Sequence, residues 1–123
     1  MNTVKIYHNS SCSKSRAALE TLEKSNITFQ IIEYLKTPPT ELVLDSLLTQ
    51  LKMNPEQLVR KGEDEYEALK QKKLLPQNRA EWIQILVKHP ILIERPIVSD
   101  GQSAVIGRPT EKITEWLSSR RTK

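Results

Sequence analysis

Residues 3–35, TVKIYHNSSCSKSRAALETLEKSNITFQIIEYL, change their hydrophobic period twice. Over residues 3–7, apolar Val4 and Ile6 flank Lys5, the two-residue period of a strand. From Ser13 to about Ser25, Ala18, Leu19 and Leu22 recur at helical spacing, and Asn26 is well placed to end the helix. TFQIIEYL, residues 28–35, returns to strand through Phe29, Ile31 and Ile32. Strand, helix and strand in one short stretch make a βαβ unit, and its right-handed crossover predicts two parallel strands.

Downstream, Pro38-Pro39 stops the second strand, and Thr40 caps a predicted helix through about Leu51, with Glu41 in its first turn. Asn54 as cap and Pro55 at the first position signal a short helix ending near Gly62. Residues 64–73 read as helical, and Asn78 with Glu81 resembles a capping box opening a helix that Pro90 limits. After Pro90, ILIE reads as a short strand, IVSD continues extended beyond Pro96, and Asp100-Gly101 turns the chain into SAVIG as a hairpin. Thr110 can cap a closing helix with Ile113, Trp116 and Leu117 on one face. The predicted class is α/β, a mixed sheet of order βαβ…ββα with a helical insert at about 40–89 in a single domain, 1–123.

A chain of 123 residues can bury roughly 65% of its unfolded surface in one core. With 28% charged and 37% hydrophobic residues it has the composition of a soluble globular protein. No apolar run approaches the roughly 18 residues of a membrane span, and MNTVKIYHN lacks the basic-then-apolar order of a secretory signal, so a cytoplasmic protein without a membrane partner is expected. A monomer is expected as well. One cysteine allows neither an internal disulfide nor a cysteine cage for a metal, and His8 and His89 add little, so no metal is expected. The net charge of +4 mildly favours anions, but part of it is the tail RRTK at 120–123, read as a solvated end. Aromatics at 5% leave no stacking platform for nucleic acid, and there is no dinucleotide or flavin fingerprint; no bound cofactor is expected.

The single thiol, Cys12, lies in HNSSCSKSR between a strand and a helix N-terminus, where unpaired amides and the positive end of the helix dipole stabilise a thiolate. Lys14 and Arg16 add nearby charge, and such surroundings lower a thiol pKa from about 8.5. His8 could add positive charge or accept a proton, and Ser15, three residues after Cys12, is close enough in a first helical turn to donate a hydrogen bond to the sulfur. A buried structural cysteine and a packing histidine are the plainer alternatives. The same loop suits an oxyanion. Arg60, Arg95 and Arg108 are candidate ligands for it, because arginine's planar fork binds oxyanions bidentately, although taken singly each reads first as a surface salt-bridge partner. Arg95 and Arg108 each precede a proline, which restricts their backbone; the default for the Arg95-Pro96 bond is trans.

HNSSCSKSR, EYLKTPPT, LVRKGE, HPILIERPIV and IGRP, in this order, resemble the glutaredoxin-coupled arsenate reductase family over residues 3 to about 117. The resemblance implies a thioredoxin-like fold with an inserted helical subdomain and a cis bond before Pro96. It implies Cys12 as catalytic nucleophile, Arg60, Arg95 and Arg108 as oxyanion ligands, and His8 and Ser15 as residues that activate the thiolate. It also implies arsenate as substrate, glutathione as co-substrate and glutaredoxin as partner. Ser13-Lys14 stand where members commonly carry Gly-Thr. Two other readings stay open: a related glutathione-linked thiol oxidoreductase with another substrate, and an Spx-like regulator that binds RNA polymerase. A Cys-x-x-Cys switch of the kind many such regulators use is impossible with Ser15 at the matching position.

Overall fold

The computed structural model of the chain describes residues 3–121. It divides into two compact units: a sheet unit formed by the chain up to Thr37 and from Arg95 onward, and a helical unit, Pro38–Glu94. The sheet unit holds β1 (Val4–His8), α1 (Ser13–Lys24), β2 (Phe29–Glu33), β3 (Ile97–Ser99), β4 (Ala104–Ile106) and the closing helix, Glu111–Arg121. Its strands lie in the order β2-β1-β3-β4. β1 and β2 run parallel with Ile6 opposite Ile31, as the crossover requires, and β3 is antiparallel to both β1 and β4. This is the mixed sheet of a thioredoxin-like fold.

One face of the sheet carries the core. Val4 and Ile6 from β1 and Val98 from β3 pack with Ala18 and Leu22 of α1 and with Ile113 and Leu117 of the closing helix. Ile6, Ala18, Leu22, Val98 and Ile113 are completely buried, and each large aliphatic among them contributes about 1.5–3 kcal/mol through removal from water. The pattern that reads as a helix in the sequence is therefore the pattern that closes the core. Asn26 adopts the left-handed conformation, φ 57°, just after the α1 cap, a geometry that Asn tolerates better than most side chains.

The far end of the sheet turns at Asp100-Gly101, where φ of Gly101 is +90° and only glycine is unstrained. Asp100 Oδ1 accepts the amides of Gln102 and Ser103, at 2.9 and 2.8 Å, and Arg120 Nε donates to Asp100 Oδ2 at 2.7 Å. The Arg120 guanidinium also lies 5.0 Å from the Trp116 ring centre, and Trp116 Nε1 donates to Ser103 Oγ at 3.0 Å. The closing helix is thus fastened to the hairpin turn. Of the basic tail, Thr122 and Lys123 lie outside the described residues.

The helical unit contains α2 (Glu41–Leu51), α3 (Asp64–Gln71) and α4 (Arg79–Lys88), so the closing helix is α5. Thr40 Oγ1 accepts the Val43 amide at 3.2 Å and caps α2. Asn78 Oδ1 caps α4 through the Glu81 amide at 3.0 Å, while the Glu81 carboxylate turns back to the amide of Gln77, one residue before the position a capping box would use. α2 and α4 pack together through buried Leu44, Leu47 and Leu48 on one helix and Trp82, Ile83 and Leu86 on the other.

Two expectations are corrected here. The short helix after Asn54 is a 3-10 turn, Pro55–Leu58, that stops well before Gly62 because Val59 is extended and bridges Ile93. ILIE is not a strand: Pro90–Leu92 form a 3-10 turn closed by the bonds from Leu92 N–H to His89 O and from Ile93 N–H to Pro90 O. Leu92 is completely buried and Ile93 nearly so, while Ile91 is partly exposed, which gives an apolar run like a strand's in sequence. Among the described residues no helix is long and apolar enough to cross a membrane, and no cluster of His, Cys, Asp and Glu could hold a metal ion.

Candidate active site

β1 delivers His8 at its end and α1 begins at Ser13, so the loop 9–12 must reverse the chain in four residues. Cys12 N–H donates to Asn9 O at 3.0 Å and closes that turn. Ser11 N–H donates to Asn9 Oδ1, also at 3.0 Å, and Arg16 Nη1 reaches back from α1 to Ser10 O at 2.8 Å. Cys12 is the N-cap residue of α1, with extended backbone angles, and its thiol is partly exposed. That placement follows from the sequence reading.

Arg108 Nη2 lies 3.4 Å from Cys12 Sγ, although the two residues are far apart in the chain. Arg108 Nε donates to the Arg95 carbonyl at 2.6 Å, which fixes the direction of the guanidinium. Partial burial on its own raises the thiol pKa, but it is outweighed by the amide of Ser15, the guanidinium of Arg95, the amide of Lys14 and the charge of Arg108. The balance holds Cys12 below the ordinary thiol range, so its nucleophilic form is favoured. Cys12 makes no regular side-chain capping bond, and the amides of Ser15 and Lys14 face its sulfur.

Ser15 is completely buried and its hydroxyl is committed elsewhere: Oγ lies 2.7 Å from His8 Nδ1 and accepts the Asn9 amide at 2.9 Å. The expected hydroxyl bond to sulfur is therefore replaced by a bond from the Ser15 main chain. His8 is buried as well, and burial lowers its pKa despite the opposing field of Glu33. Burial thus works against the positive charge that the sequence left open, and the His8 ring nitrogen meets the Ser15 hydroxyl.

Arg95, 8% exposed, and Arg108 meet at Cys12, both emerging from the residues just before prolines. The Arg95-Pro96 bond is cis, as the resemblance implies and against the general default, and the Arg108-Pro109 bond is cis too. Arg60 belongs to the helical unit, where Nε meets Glu63 at 3.3 Å and Nη1 meets Glu94 at 3.1 Å. The sequence reading overlooked Asn9, whose first position in a four-residue turn is one that Asn favours. It also overlooked Gly107, whose N–H donates to Pro96 O at 2.9 Å beside Arg108.

The ArsC family model matches residues 7–116, a span that holds Cys12, Arg95 and Arg108. The chain belongs to the ArsC family. It is 42% identical over 115 residues to the uncharacterized protein YfgD of Escherichia coli strain K12, covering 91% of this chain and 94% of that protein. It is 38% identical over 118 residues to an arsenate reductase of Neisseria meningitidis, covering 95% of this chain and all of that protein. Among solved structures, the arsenate reductase from Vibrio cholerae superposes with a TM-score of 0.83 at 39% identity, over 93% of this chain and 97% of its own. Within the ArsC family, then, the Cys12 loop and its two arginines lie in the matched region.

Proposed function

We propose that this ArsC-family chain reduces arsenate to arsenite through a covalent adduct on Cys12, with glutathione and glutaredoxin as reductants. The observation that carries the reading is the 3.4 Å approach of Arg108 Nη2 to Cys12 Sγ, a cationic donor beside a thiol already biased towards its anion. The Cys12 thiolate attacks arsenic, forming an S–As bond while an arsenate hydroxyl takes a proton from solvent and leaves as water. Arg95 and Arg108 neutralise the oxyanion during this step, as donors aimed at developing charge. A glutathione thiolate then attacks the Cys12 sulfur; the S–As electron pair passes to arsenic, As(V) becomes As(III), and arsenite departs. The resulting Cys12–glutathione disulfide is opened by a glutaredoxin thiolate at the glutathione sulfur, returning Cys12 as thiolate. A lone cysteine suits this division of labour, because the resolving thiols come from outside.

The test is NADPH oxidation coupled through glutathione reductase, with glutathione, a glutaredoxin and arsenate, beside folded Cys12→Ser. Arsenate-dependent turnover that disappears in Cys12→Ser is the expected result. Turnover that survives in Cys12→Ser, or a reduced and folded wild type that oxidises no NADPH with arsenate, would overturn the proposal.

A further inference from the structure

The four-residue turn before Cys12 is built around Asn9, a residue that the chemistry above does not use. Asn9, 7% exposed, makes three local bonds: its carbonyl accepts Cys12 N–H at 3.0 Å, its Oδ1 accepts Ser11 N–H at 3.0 Å, and its own N–H donates to Ser15 Oγ at 2.9 Å. The first two fold residues 9–12 into a β-turn reinforced by an Asx turn. The third ties that turn to the first turn of α1, from which the amides of Lys14 and Ser15 face the sulfur. Because Cys12 N–H is occupied by the Asn9 carbonyl, it is not available to the thiolate, and the sulfur depends on the two amides further along.

We propose that Asn9 is a positioning residue for Cys12, its side chain holding the turn that aims the sulfur at the Lys14 and Ser15 amides and at Arg108. The inference rests on Cys12 as the reacting thiol. Only the Oδ1 bond is lost when the side chain is truncated, since the other two bonds are made by main-chain atoms of Asn9. With Ser11 N–H released, the turn keeps its main-chain bonds but loses the Asx bond that stiffens them, and the distance from sulfur to its donors is what changes. His8 and Glu33 on the β1–β2 side, Lys14 and Arg16 on α1, and Arg95 and Arg108 beside the sulfur are the titratable and charged groups around this loop. Arg16 braces the opposite side of the turn through Ser10 O, so opening is limited to the Asn9 end.

The experiment is the pH profile of Cys12 alkylation by iodoacetamide, with thiolate absorbance as a second readout, in wild type, Asn9→Ala and Asn9→Ser. Asn9→Ala is expected to move the profile to higher pH and to slow alkylation below its midpoint by roughly three- to tenfold. Asn9→Ser keeps a short side-chain oxygen able to accept Ser11 N–H and is expected to recover most of the difference. A merely structural role would lower the melting temperature without moving the profile. An unshifted profile in folded Asn9→Ala overturns the proposal; should that variant fail to fold, an Asn9→Ser profile shifted as far as complete loss of Cys12 activation would do so. The readout needs no arsenate, so failure of the proposed reaction appears separately, as a wild type with an activated thiol and no arsenate turnover.

Discussion

A β-carbon added at Gly107 would sit 2.7 Å from Ile113 Cδ1, 3.0 Å from Pro96 Cγ and 3.1 Å from Ile113 Cγ1. Ile113 is completely buried and Pro96 nearly so, which leaves little room for either to withdraw. Overpacking of this kind costs about 1–3 kcal/mol. Gly107 lies outside the left-handed region, so alanine also gains about 0.4–1 kcal/mol by restricting the unfolded chain. Taking the middle of each range, Gly107→Ala is expected to destabilise by about 1.3 kcal/mol, a fall in Tm of roughly 4–8 °C for a chain of this size. Ile113→Val removes Cδ1, the nearest atom, at its own cost of about 0.5–1.5 kcal/mol. In the double variant the alanine should cost less than it does alone, by about 0.5 kcal/mol or more, with the Pro96 contact keeping the relief incomplete. The assay is urea unfolding of the four proteins in the cycle, followed by circular dichroism. Gly107→Ala as stable as wild type, or equally costly in both backgrounds, would refute the argument that Ile113 closes this space.

Arg95→Lys keeps the charge but loses the planar fork, and is expected to lower kcat/KM for arsenate on the order of 100-fold in the coupled assay; normal kinetics would make Arg95 structural. Asp100 is mostly buried, which raises its pKa, but the amides of Ser103 and Gln102 and the Arg120 guanidinium outweigh burial and hold it below the usual carboxylate value. A carboxyl with a depressed folded pKa contributes stability above its unfolded pKa of about 3.9 and loses it as pH falls through the lower folded value. Asp100→Asn should thus be less stable than wild type by about 1–3 kcal/mol at pH 7, with the gap narrowing below pH 4. Thermal melts across that range check this, and a gap independent of pH would show that Asp100 acts without its charge.

Local patterning determined much of this protein. The alternation around Lys5, the helical spacing of Ala18 and Leu22, and the proline and asparagine punctuation are short-range signals, and each reappears as β1, as α1 and as the boundaries of α1, α2 and α4. The ILIE run misled because burial of Leu92 in a 3-10 turn and burial in a strand leave the same apolar signature. Cys12 was legible as a thiol at a helix N-terminus because that needs only a strand, a loop and a helix in order. What sits around its sulfur was not. The Ser15 hydroxyl turned to His8, the Arg108 fork turned to both Sγ and the Arg95 carbonyl, and the Asn9 side chain turned to Ser11. Side-chain hydrogen bonds depend on directions and distances of a few ångströms between segments far apart in sequence. A one-dimensional pattern records which groups are present, and only the packed sheet decides which of them meet.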